Sequence, residues 1–382
     1  MSDLSAVAQY FIDWMRTESL PLWTTAGRDP EGGFYEDLDL GGQPRKDQIR
    51  RVRVQPRQAY VYAHAAYLGW APEGQALSDH AFSYLIEKAA MGDVKDRHQF
   101  DGFVHKLTPD GQIADGKRDT YDHAFVLLAC AWRYRAFQDH DAKEIADVTL
   151  AFLDRTVGEP DGSFREGVPG SPVRRQNPHM HLFEAFMALY EATEDRQYLD
   201  RATHLYHLFQ KYFFDPKEKV LREFFTPQWD VDPNQGHFVE PGHMMEWCSL
   251  LHQYETLTGT DVSEYVDALY TSAERLGREA DTGWLADQVA LGSSSSLPFT
   301  KRTWVQTEYI KATLVWATRL GTTQKAAGLL QQFLDGYLKV DTPGGYTDQY
   351  GPGDNILSQA IPTSTLYHLM SLAAEVNNNL SV

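Results

Sequence analysis

Residues 54–69 read VQPRQAYVYAHAAYLG, and five later stretches follow the same plan: YDHAFVLLACAWRY at 121–134, PHMHLFEAFMALYEAT at 178–193, PGHMMEWCSLLHQYETLTG at 241–259, VQTEYIKATLVWATRLG at 305–321 and PTSTLYHLMSLAAE at 362–375. Each opens on a polar, chemically capable cluster and continues as an apolar helix. Anchored on Arg57, His123, His181, His243, Gln306 and His368, the successive spacings are 66, 58, 62, 63 and 62 residues. Common solenoid repeats are shorter, about 20–50 residues. The period fits a helical hairpin plus a long loop, and six hairpins predict a closed ring of helices.

A second repeat runs through the loops, where a small residue precedes an aromatic at Gly33-Phe34, Gly102-Phe103, Gly162-Ser163-Phe164, Gly283-Trp284 and Gly345-Tyr346. The remaining loop is expected to use Phe224, without the glycine. An even repeat without a linker predicts one unit over residues 1–382, with no low-complexity tract beyond the serine run at 293–296.

Helices between the six stretches are amphipathic, as in IADVTLAFLDRTV from Ile145 and VSEYVDALYTSAERLG from Val262, with charges opposite an apolar stripe. The cluster-bearing helices are apolar nearly all round, which places them inside. Inner-to-outer connections are short and outer-to-inner ones long, so all long loops gather where the inner helices begin and wall a cleft there. Helix starts also offer unsatisfied N–H groups to a developing anion.

The formal charge of −18 argues against nucleic acid or an anionic membrane as partner. Cys130 and Cys248, the two cysteines, each lie inside an apolar helix and predict buried thiols in a reducing compartment. With no signal-peptide pattern and no run of transmembrane length, a cytoplasmic location is expected. Nothing in the pattern fixes an oligomeric state.

Register singles out the chemistry. His181, His243 and His368 each sit at the cleft end of an inner helix, whereas His204 and His207 fall on an outer one. Glu184 and Glu246 stand three residues after His181 and His243, where a carboxylate can share a helix face with the imidazole and fix its tautomer. Opposed histidines form an acid/base layout, and Arg57 is a permanent forked donor suited to an enolate. Tyr121, Trp247 and Trp304 offer flat faces to a sugar ring, though core packing accounts for such residues equally well. Two other chemistries stay open at this level. His179, His181 and His243 with nearby carboxylates make a metal set, and Asp122, Glu184, Glu246 and Glu308 could serve a glycosidase.

The strings RQNPHMHLFEAFMALYEAT, EPGHMMEWCSLL, YDHAF, WVQTEYIKA and PTSTLYHL resemble the N-acylglucosamine 2-epimerase superfamily in order and over nearly the whole chain. The resemblance implies an all-α (α/α)6 barrel whose cleft lies at the N-terminal ends of the inner helices, and proton transfer at sugar C2 without metal or cofactor. Position by position, it implies His243 and His368 as the catalytic histidines with Arg57, and His181, Glu184, Glu246, Tyr121, Asp122, Trp304 and Glu308 as substrate-binding residues. The implied ligand is a monosaccharide. The compact chain and the TLYH ending are most similar to the mannose isomerase branch, which implies D-mannose to D-fructose isomerisation, with lyxose as a related substrate. The same residues also serve 2-epimerisation. Sulfoquinovose isomerisation would need a cation, for which Arg174, Arg175, Lys301 and Arg302 are available, and phosphosugars find no glycine-rich phosphate loop.

Overall fold

A computed structural model describes residues 4–292 and 297–380, which leaves the serine run at 293–296 outside the described residues. Six inner helices lie where the repeats start: α2 (Val54–Tyr67), α4 (Thr120–Phe137), α6 (Asn177–Thr193), α8 (Pro241–Thr258), α10 (Thr303–Leu320) and α12 (Leu366–Leu380). The outer six are α1 (Leu4–Trp14), α3 (Gly74–Ala89), α5 (His140–Thr156), α7 (Arg196–Leu208), α9 (Ser263–Gly277) and α11 (Gln324–Gly336). Each inner helix packs on the next, and α12 returns to α2, so the ring closes. Outer helices cover the ring in chain order, with α1 wedged against α11 and α12. This is the expected (α/α)6 barrel.

Local chemistry sets the boundaries. Asp139 and Asp195 cap α5 and α7 by accepting from Ala142 N and Gln197 N. The preceding inner helices α4 and α6 stop at Gln138 and Glu194 in the left-handed conformation, and α8 and α10 stop at Gly259 and Gly321. These compact stops make the inner-to-outer turns short. On α2 every residue from Val54 through Ala65 is buried, whereas α5 buries one face of an amphipathic pattern.

The long loops pair with one another around the mouth. The strand entering each inner helix runs antiparallel to one from the following loop: Arg50–Arg51 with Lys106–Leu107, Arg118–Asp119 with Gly167–Val168, Arg174–Arg175 with Phe224–Phe225, Phe238–Val239 with Val289–Ala290, and Lys301–Arg302 with Gln349–Tyr350. Ile361–Pro362 pairs with Asp37–Leu38 and completes the collar.

The loop repeat has a structural reason. Gly162, Gly283 and Gly344 all hold positive φ two residues before a buried residue, at Phe164, Leu285 and Tyr346. In the fourth loop Lys219 takes that conformation at φ 59, followed by Leu221. Phe224 is therefore not the equivalent position; it belongs to the collar strand paired with Arg175.

Inner helices clamp these loops from below. Gln55 accepts from Phe34 N at 2.8 Å and donates to Phe34 O at 2.9 Å, and Gln306 treats Leu285 in the same way at 3.0 and 2.9 Å. His123 and His179 accept from Phe103 N and Phe164 N through Nε2, at 2.9 and 3.0 Å. Gln306→Ala would strand two buried peptide groups, so unfolding stability in urea should fall by about 2 kcal/mol, and Gln55→Ala should cost a similar amount.

Candidate active site

Two residues beyond each clamp, the helix turns a different side chain toward the barrel axis, because a helix period of 3.6 separates i from i+2 by more than half a turn. In register with Arg57, His181, His243 and His368 are therefore Phe125 and Glu308, two positions after His123 and Gln306. A cavity of about 410 Å³ opens at these helix starts, bordered by Arg57, Tyr121, His181, His243, Glu246, Trp304 and His368. Arg53, Asn177, Glu240, Arg302 and Asp348 line its upper wall. A neighbouring cavity of about 710 Å³ shares Arg53, Tyr121 and Asn177 with it.

Three histidines meet here in different electrostatic settings. His243 Nδ1 stands 3.0 Å from Glu223 Oε2 and 3.3 Å from Glu240 Oε2. Burial opposes the charged ring, but Glu223 and Glu240, with Glu246 beyond, outweigh it and raise His243 to about 10. His368 Nδ1 lies 2.8 Å from Glu308 Oε1, yet burial, aided by Arg57 and Lys311, overrides that carboxylate and lowers His368 to about 4. At neutral pH one imidazole is an acid and the other a base. His181 Nδ1 pairs with Glu184 Oε2 at 3.1 Å, and burial likewise lowers it, with Arg57 and His243 adding to the effect.

The expected partner of His243 was Glu246, but the contact is made by Glu223, in the long loop that leads into α8. Glu246 instead faces Glu308 and lies 4.0 Å from His181 Nδ1. Burial, then the charge of Glu308, pushes its carboxyl well above the ordinary range. Trp304 sits between His243 and His368, its ring centroid 5.2 Å from the first and 5.6 Å from the second. Trp247 does not reach the cavity; it stacks on Phe209 and donates to Gln176 Oε1 at 2.8 Å within the core.

Arg57 is held by its surroundings. It donates to Ser364 O at 3.1 Å and to Tyr121 Oη at 2.8 Å, and its guanidinium lies over Phe125 at 4.0 Å. Asp122, Glu184 and Glu308 do not border the cavity. Asp122 is buried against His105 at 2.5 Å and Arg53 at 3.5 Å, Glu184 accepts from Tyr367 Oη as well as serving His181, and Glu308 joins His368 to Lys311. Their contacts are with the groups around the cavity. A glycosidase pair drawn from the four expected carboxylates is thus reduced to Glu246 at the cavity wall.

Among the described residues, potential ligand clusters for a metal are His181 with Glu184 and Glu246, Glu223 with Glu240 and His243, and Glu246 with Glu308 and His368. His179 joins none of them, since Nε2 accepts from Phe164 N and Nδ1 faces Arg175 O at 3.2 Å. In the third cluster the Lys311 ammonium already touches Glu308 at 2.8 Å and supplies the positive charge. Of the cations considered for a sulfonate, Arg174 is buried over Trp229 and Lys301 between Glu279 and Asp354; Arg302 reaches this cavity and Arg175 the neighbouring one. Both cysteines are buried and free.

Glu223, Glu240, Arg53 and Lys311 were missed by the sequence reading. Glu240 is visible in the EPGH string, and Lys311 three residues after Glu308 is a charge on an otherwise apolar helix. Glu223 carries no local signal, because only the fold brings its loop to His243.

Comparison with known proteins places this geometry. The family model described as N-acylglucosamine 2-epimerase (GlcNAc 2-epimerase) matches residues 33–372. A mannose-6-phosphate isomerase of Rhizobium meliloti (strain 1021) is 32% identical over 99% of this chain and 98% of its own. A D-mannose isomerase of Thermobifida fusca is 33% identical over 63% of this chain and 62% of its own. The solved cellobiose 2-epimerase of Bacillus thermoamylovorans B4167 shares the fold with a TM-score of 0.86 at 21% identity, over 98% of this chain and 99% of that one. The chain belongs to the N-acylglucosamine 2-epimerase family and is an isomerase-class enzyme acting on sugars.

Proposed function

We propose that the protein interconverts D-mannose and D-fructose through a cis-enediol. The observation that carries this reading is the unequal state of two histidines flanking one cavity: His368 held neutral and His243 held protonated. Neutral His368 takes the C2 proton of the ring-opened aldose through Nε2. His243 gives a proton to O1, so the enediolate charge is quenched as it forms, and Arg57 steadies it meanwhile. The O2 proton then returns to His243, and His368 delivers its proton to C1 on the same face. C2 becomes the carbonyl and C1 a hydroxymethyl group, with no net gain or loss of protons.

Epimerisation uses the same groups differently, since His243 would have to exchange the proton at C2 from the opposite face and act as carbon base in one direction. The carboxylates of Glu223 and Glu240 make it a reluctant carbon acid and hold it charged, which favours the isomerase. A second reading is favoured by the full-length relative named for mannose 6-phosphate and by Arg51, Arg53 and Arg302 on the cavity wall. Those arginines could receive a 6-phosphate without a glycine-rich loop. The positive charge facing the enediolate comes from Arg57 and His243 on the cavity wall.

Chelator-treated protein with D-mannose in D2O should yield fructose before glucose, seen by proton NMR. Early glucose carrying deuterium at C2 would reverse the assignment in favour of the epimerase, and turnover of mannose 6-phosphate alone would transfer it to the phosphosugar. His368→Asn should lower kcat by about 10²–10⁴-fold with the fold retained. The pH profile of kcat/KM should be flat between limbs near 4, where His368 gains its proton, and 10, where His243 loses its own. Glu223→Gln removes the main charge raising His243, so the alkaline limb should move to lower pH while the acidic limb stays.

A further inference from the structure

We propose that Lys311 is a positioning residue for proton transfer: by holding one oxygen of Glu308 it turns the other onto His368 and fixes which imidazole nitrogen meets the sugar. Lys311 is buried on α10, where a methionine or leucine would fill the same volume without the expense of desolvating an ammonium. Its Nζ lies 2.8 Å from Glu308 Oε2, and Glu308 Oε1 lies 2.8 Å from His368 Nδ1. The two α10 residues stand three apart and share a face. With Oε2 occupied by the ammonium, Oε1 accepts the Nδ1 proton, and Nε2 is left as the lone pair toward the cavity.

The charged groups around His368 come from every helix packed near it: Glu308 and Lys311 on α10, Arg57 on α2, Glu246 on α8 and Glu184 on α6. Tyr367, next to His368 on α12, donates to Glu184. Lys311 is the cation in contact with this carboxylate group, and its charge acts on Glu308, Glu246 and Glu184 together. Without it Oε2 is untethered, so the Glu308 carboxylate turns, loosens its hold on Nδ1 and lets the ring sample the other tautomer. Lys311 also disfavours a charged His368, so its removal should raise the titration of that ring.

The kinetic arm of the test rests on the isomerase reading, and a spectroscopic arm does not. In Lys311→Met, kcat for mannose should fall about 10–100-fold, the usual worth of a partner that orients a working imidazole, with KM within about twofold. The acidic limb of kcat/KM should move to higher pH. Long-range 1H–15N NMR should show the same upward move in the His368 titration and mixed tautomers. In a Glu308→Gln background, removing Lys311 should change kcat and the His368 tautomer ratio less than about twofold, because the orienting effect passes through Glu308. That double variant removes both buried charges together and keeps the test available should Lys311→Met alone not fold. A folded Lys311→Met with the His368 titration and kcat of the parent would overturn the proposal, as would an equal loss in both backgrounds. Parent protein inactive on mannose would defeat the functional reading while the NMR arm still decided the role of Lys311.

Discussion

Every inner helix begins at the same mouth, and a helix start leaves backbone N–H groups without partners inside the helix. Six such starts crowded at one end of a ring would be a poor place for loops unless the loops paid attention to hydrogen bonding of their own. The collar of antiparallel strand pairs and the clamps from Gln55, His123, His179 and Gln306 meet that demand. Because the clamp occupies one helical position, the position two residues on is free to face the axis. The site is a consequence of how the loops are tied down.

Compact turns at Gln138, Glu194, Gly259 and Gly321 force the long connections to one side, which is why the cleft follows from loop length. Collar closure between Asp37–Leu38 and Ile361–Pro362 joins the first repeat to the last. It also brings Ser364, just before α12, to Arg57 on α2, so the arginine is oriented by residues 307 positions away. Rigidity of this kind keeps hydrogen-bond donors aimed before a substrate arrives, the condition under which electrostatic stabilisation is most effective.

Much of this was legible in the sequence because helical register is a local property. Arg57, His181, His243 and His368 could be placed at the axis from spacing and from the apolar run that follows each. The anchors His123 and Gln306 were two residues out of phase, since a polar residue at a helix start can serve either the loop or the axis and composition does not distinguish them. Phe125, an ordinary core residue in the string YDHAF, gave no sign of being the true counterpart of Arg57. Pairings across the ring were less accessible still. His243 with Glu246 obeys the i, i+3 rule, yet Glu223 comes closer, because a loop tethered by the pairing of Phe224 with Arg175 carries it there.

Opposite behaviour of like residues is the chemical product of the fold. His243 and His368 share a cavity, a helix-start position and an aromatic neighbour in Trp304, but their nearest carboxylates are compensated differently. Glu308 spends one oxygen on Lys311, and with that ammonium and Arg57 close by, His368 experiences its carboxylate largely neutralised. Glu223 and Glu240 both face His243, and the excess of negative charge keeps its proton in place. Two imidazoles thus need no difference in their own structure to become a base and an acid. What separates them is a lysine on one side, Lys311 against Glu308, and a second glutamate on the other, Glu240 added to Glu223.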